Sequence, residues 1–84
     1  MSNCVYSYVG SCINGRSAIW SLRANHQYGT EDNLATIEIN VQTMTIVQVR
    51  GKRNAKVGHK EIMLINKWAL KSNIGISRTA YGGY

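Results

Sequence analysis

Seven consecutive residues, Arg50-Gly51-Lys52-Arg53-Asn54-Ala55-Lys56, hold four cations, and Lys60 and Lys67 follow within the next eleven. Clustered lysines and arginines suit phosphate, because each neutralised phosphate releases counterions and makes binding salt-dependent. The ordinary use of such a run is a solvated loop. No aromatic residue is interleaved with it, and the nearest, Trp68, is better placed in a core. Contact with a nucleic-acid backbone is therefore expected rather than stacking on single-stranded bases.

A second set is Arg23, Glu38 and Gln48, each on the polar side of an alternating segment. As an ordinary ion pair on a solvated sheet face it contributes about 0–1 kcal/mol. As a functional patch it binds a partner. As an enzyme it would use Glu38 as general base, positioned by Arg23 and Gln48, but a carboxylate flanked by a guanidinium is a poor base near neutrality. Binding is the favoured reading, and no catalytic residue is assigned.

Cys4, Cys12, His26 and His59 are the remaining ligand-type or nucleophilic side chains, and no pair has zinc-finger spacing. On a continuous helix Cys4 and Cys12 would stand about 12 Å apart along the axis, too far for a shared metal or a disulfide. A Cys4 nucleophile with His26 or His59 lacks an evident orienting group. No Gly-rich phosphate loop and no Ser–His–Asp pattern occurs. No metal and no cofactor is expected.

The elements that must position these residues follow from periodicity. Cys4, Val5, Tyr8, Val9, Cys12 and Ile13 recur at helical spacing, which predicts a helix over Asn3–Ile13 ended by Asn14-Gly15. Period-two alternation predicts strands over Ser17–Ala24, Leu34–Val41 and Thr45–Arg50, with Thr45, Val47 and Val49 on the apolar face of the last. The short connection Gln42-Thr43-Met44 makes the last two an antiparallel hairpin. The register should place Glu38 and Gln48 on one face, away from the helices, because a one-residue slip would expose Ile37 and Ile39 and bury a carboxylate. A second helix is predicted over His59–Lys71, and the tail 72–84 carries a brief strand near Ile74–Ile76 with a loosely held end. The expected fold class is α+β: one two-layer domain, a three-stranded antiparallel sheet with two helices packed on one face.

Eighty-four residues suffice for one such core. The net charge is +6 and unevenly placed. Residues 50–84 carry eight cations against Glu61, whereas residues 1–49 carry Arg16 and Arg23 against Glu31, Asp32 and Glu38. That asymmetry points to nucleic acid, an acidic protein surface or an anionic membrane as partner. No apolar run is long enough to span a bilayer and no leader pattern opens the chain, so no membrane role and a cytoplasmic location are expected.

The order Cys4-Val5-x-x-Tyr8, Gly15 before Ile19-x-Ser21-Leu22-Arg23, Ala35-Thr36-Ile37-Glu38-Ile39, Ile46-Val47-Gln48-Val49-Arg50-Gly51-x-x-Asn54, and then a helix with Trp68 resembles the PcfJ-like family. The resemblance spans roughly residues 3–71 and implies a plasmid or phage origin without implying a reaction. The chain departs from the family pattern in Asn3, where histidine is usual, in lacking a proline after the Gly-x-x-Asn motif, and in beginning at the motif, as a free-standing domain would. The family-type polar residues Arg23, Glu38, Gln48, Arg50 and Asn54 fall largely on the expected open sheet face and its adjoining loop.

The expectation is a small basic mobile-element protein that binds DNA or RNA, or a nucleoprotein complex. Arg50, Lys52, Arg53, Asn54, Lys56, Lys60 and Lys67 would make the contact, with Arg23, Glu38 and Gln48 as a polar sheet patch. The rival expectation is a phage-type inhibitor docking on a host-defence complex such as a CRISPR effector. A homodimer through the edge of the Ser17–Ala24 strand is also allowed.

Overall fold

The computed structural model describes residues 5–12, 15–25, 31–52 and 55–82. Alternating segments form strands β2 (Ser17–Asn25), β3 (Glu31–Asn40) and β4 (Thr45–Gly51) of an antiparallel meander. Strand β1 (Val5–Cys12) extends it beside β2, with Tyr8 opposite Leu22 and Gly10 opposite Trp20. After helix α1 (His59–Lys71) the chain returns as β5 (Gly75–Ile76), parallel to β4. The sheet order is β1-β2-β3-β4-β5.

This overturns the expected three-stranded antiparallel sheet with two helices. The sheet is five-stranded and mixed, and one helix packs on it. The α+β character stays. The error lies in the first element: the described part of the segment expected as a helix over Asn3–Ile13 is β1. Its aromatic residues, Tyr6 and Tyr8, alternate onto the core side together with Gly10. Gly10 is a poor helix residue but a fitting strand residue here, because a Cβ at that position would overlap the Trp20 ring. Strand β2 is thereby paired on both sides, so the dimer expected through its edge has no edge to use.

The core lies between the sheet and α1. Leu22, Ile37, Ile46 and Ile65 are its largest fully buried side chains, joined by Ala35, Ile39, Val49 and Ala69. On β4 the inward residues are Ile46 and Val49 rather than the expected Thr45, Val47 and Val49. The pairing steps from Glu38 opposite Gln48 to Ile39 opposite Ile46, so Val47 is an extra residue in the ladder. Such a bulge inverts which side chains face inward beyond it. The β3–β4 turn is closed by the Asn40 Oδ1, which accepts from the backbone N–H of Gln42 at 3.0 Å and of Thr43 at 3.3 Å. Met44 completes it at φ 50°.

Helix α1 starts at Gly58 without a side-chain cap, carries Glu61 in its first turn and Lys71 in its last, and so complements its own dipole. Its end is a paired backbone closure. The Ile74 N–H donates to the Ala69 carbonyl at 2.8 Å and the Asn73 N–H to the Leu70 carbonyl at 3.4 Å, with Asn73 left-handed at φ 57°. The following segment is tied to β4: the Ser77 N–H donates to the Ile46 carbonyl and the Val49 N–H to the Ala80 carbonyl. Ala80 is fully buried in the core. No helix among the described residues is long and apolar enough to cross a membrane.

Candidate functional site

The sheet separates the expected site residues into two groups. Because Leu22, Ile37 and Val49 point at α1, their neighbours Arg23, Glu38, Gln48 and Arg50 project from the opposite face. Glu38 lies directly opposite Gln48, as the register argument requires, and Thr36 opposite Arg50. Along β4 the Gln48 amide, oriented with its oxygen toward Arg50, accepts from Nη2 at 2.7 Å and Nε at 3.0 Å. Arg23 is not beside Glu38. It pairs with Asn33, and Ile19 occupies the position opposite Glu38, four residues along β2. At about 3.3 Å per residue this sets Arg23 about 13 Å along the sheet, so the two charges expected together are apart.

Arg50 also leaves the basic loop. It belongs to β4 and the open face, whereas Lys52 and Lys56 sit exposed in the connection to α1. Arg53 and Asn54 lie outside the described residues. Lys52 forms an exposed ion pair with Asp32, Nζ to Oδ2 at 3.8 Å. Gly51 explains the loop's course: a Cβ there would stand 2.9 Å from the Ala55 carbonyl oxygen and 3.0 Å from that of Lys56. The Gly51 N–H donates to the same Ala55 carbonyl at 2.7 Å, so the chain folds back tightly over the strand end. A cleft of about 280 Å³ lies there, between Leu34, Lys52, Lys56 and Glu61.

Lys60 and Lys67 are exposed on α1, on the other side of the sheet from Arg50. With Lys71 they stand at positions i, i+7 and i+11, a single stripe of the helix. The stripe runs beside β1. The Lys60 ammonium lies 5.5 Å from the centre of the Tyr6 ring. Tyr8 stacks on Trp68, centroids 4.6 Å apart and planes within 6°, and Trp68 meets Trp20 at 5.3 Å in a tilted contact. The Tyr8 hydroxyl donates to the Leu64 carbonyl at 2.9 Å, and burial pushes its pKa up. The Tyr81 hydroxyl donates to Asn66 Oδ1 at 2.8 Å; burial and the proximity of Tyr8 push its pKa up to about 12.

Between β1 and α1 the rings of Tyr6, Tyr8 and Trp68 line a cleft of about 600 Å³ together with Lys67 and Lys71. A second hollow of about 420 Å³ continues from it along the helix past Leu64 to Lys60. The sequence reading missed this region. Helical periodicity places Tyr6 and Tyr8 on a helix, and composition places Trp68 in the core alone. The alternation Tyr6-x-Tyr8-x-Gly10 and the lysine spacing 60, 67, 71 are the signals that mark it.

Of the candidate metal ligands, Cys4 and His26 lie outside the described residues. Among the described residues no three metal-ligating side chains gather. Residues 1–64 match the sequence model of a family described as PcfJ-like protein. No curated protein and no solved structure matches the chain.

Proposed function

This chain belongs to the PcfJ-like protein family, and we propose that it binds nucleic acid, free or within a nucleoprotein complex, through the basic surface formed by α1 and the loop that precedes it. The observation that carries this reading is the exposed lysine stripe Lys60, Lys67 and Lys71, with Lys56 and Lys52 exposed in the loop before the helix. Glu61, in the first turn of α1, is the acid of the same half of the chain. Lysines on a rigid helix hold a fixed spacing, so several phosphates meet them at once without ordering a flexible chain. The open sheet face is less suited to phosphate. There Arg50 is engaged with Gln48, and Glu38 lies one strand away with its negative charge.

Fluorescence anisotropy with labelled duplex DNA, single-stranded DNA and RNA at about 50 mM and about 200 mM salt tests the reading. Binding that weakens steeply with salt is expected. Lys67→Ala and Lys71→Ala should each lower affinity for every sequence and reduce the salt slope by about 1. Absence of binding to all three probes at the lower salt overturns it.

A further inference from the structure

We propose that the cleft between β1 and α1 is a site for single-stranded nucleic acid, in which unpaired bases lie against Tyr6, Tyr8 and Trp68 while Lys60, Lys67 and Lys71 hold the phosphates. This rests on the nucleic-acid reading above and narrows it to one kind of strand and one place.

The cleft combines two features that rarely meet by chance on a chain with seven aromatic residues, five tyrosines and two tryptophans. Three of the rings line one hollow. Two of them are held in place: Tyr8 is stacked on Trp68 and anchored through its hydroxyl to the Leu64 carbonyl, and Trp68 is braced by Trp20, while Tyr6 faces the Lys60 ammonium. A platform whose rings are fixed before the ligand arrives loses little side-chain freedom on binding. Every base has a π-face, so stacking on such rings is tolerant of sequence.

The rim supplies the second feature. Lys67 borders both hollows, Lys71 one and Lys60 the other, and among the described residues no acidic side chain lines either. Apolar side chains on the same helix are left exposed beside the lysines, Leu70 at 82% and Met63 at 54%. The occupant therefore presents flat apolar surface and negative charge together at short intervals. A single strand does so; a duplex does not, because its base faces are stacked inside and only base edges and the phosphate backbone reach a protein. An acidic peptide would match the charge but offers no repeating planar groups for three rings.

The test uses the whole protein with a short labelled oligothymidylate and a duplex of equal length, at about 50 mM salt. The oligothymidylate should bind more tightly and quench tryptophan emission. Ultraviolet cross-linking followed by peptide mapping should place the adduct on Tyr6, Tyr8 or Trp68. Tyr6→Ala should weaken binding of the single strand about tenfold, the scale of one stacked base. Tyr6→Phe keeps the ring and should retain affinity, which separates stacking from any loss of fold. Tighter binding of the duplex, or adducts confined to residues 50–56 or to the open sheet face, overturns the cleft while leaving nucleic-acid binding standing. No binding of either probe overturns both.

Discussion

On the face of the sheet that α1 covers, aromatic rings and lysines share one cleft, with Trp68 stacked on Tyr8 and Lys60 over Tyr6. On the opposite face, Glu38 stands across from Gln48, and Gln48 is held by the guanidinium of Arg50. Both surfaces are polar, yet they are polar for different reasons. The helix side needs apolar bodies to bury, so its charges come from lysines, whose stems lie along rings while their ammonium groups stay in water. Among the described residues no helix covers the open side, and there the Gln48 amide accepts from the Arg50 guanidinium along β4 while Glu38 stands opposite Gln48. The surface proposed for binding is thus the one where charge borders partly buried rings.

The largest expected effect that tests this contrast is on folding. Trp68→Ala removes the stack on Tyr8 and the contact with Trp20 and should cost about 3–5 kcal/mol in urea denaturation. Glu38→Gln, on the open face, should change stability by less than about 0.5 kcal/mol in the same experiment. Similar losses at both positions would remove the distinction between the faces.

Two glycines sharpen it further. Gly10→Ala drives a methyl group into the rigid Trp20 ring on the covered side and should destabilise by about 1–3 kcal/mol. Gly15→Ala, with open space around the added carbon, should be neutral or slightly stabilising. Thermal melts of the two variants measure the difference.

The covered face also carries a pH dependence. Tyr81 is raised from 10.0 to about 12 and Tyr8 is raised as well, so the folded state holds these protons more tightly than the unfolded chain. Their contribution to stability is present in full below pH 10, and is lost as the pH rises through about 12. Melting temperature should therefore fall across this alkaline window, and Tyr81→Phe should flatten the fall.

The smallest effect belongs to the exposed pair at the sheet end. Lys52→Ala breaks the contact with Asp32 and should cost about 0–1 kcal/mol, less again in high salt. A cost well above that range would mean that the loop is an integral part of the fold rather than a solvated margin.

Strands β2 and β3 were legible from alternation because burial selects apolar residues at every second position, as in Ala35, Ile37 and Ile39, whereas on β4 only the strand itself was legible, since its buried Ile46 and Val49 stand three apart. Helix α1 was legible for the equivalent reason at period 3.6, with Ile65 and Ala69 as its buried positions. Strand β1 was not. It sits at the sheet edge, where Tyr6 and Tyr8 are only partly buried and the outward Val9 is 48% exposed, so hydrophobicity does not follow period two. Val5, Tyr8 and Val9 fall on a helical stripe as readily as on a strand. The bulge on β4 was equally hidden, since a ladder that gains Val47 is defined by its partner strand and not by its own residues.

The site divides along the same line. Sequence alone determined that the second half of the chain is basic, that Glu38 and Gln48 share a face, and that Lys60 and Lys67 lie outward on a helix, because these depend on composition and local periodicity. Only the tertiary structure decided that Arg23 stands away from Glu38, that Arg50 and the helix lysines lie on opposite sides of the sheet, and that Tyr8 stacks on Trp68 in a cleft that Tyr6 also lines. Those relations join residues up to sixty positions apart, such as Tyr8 and Trp68. They are set by strand register and by the layer on which the helix settles, which no local pattern encodes.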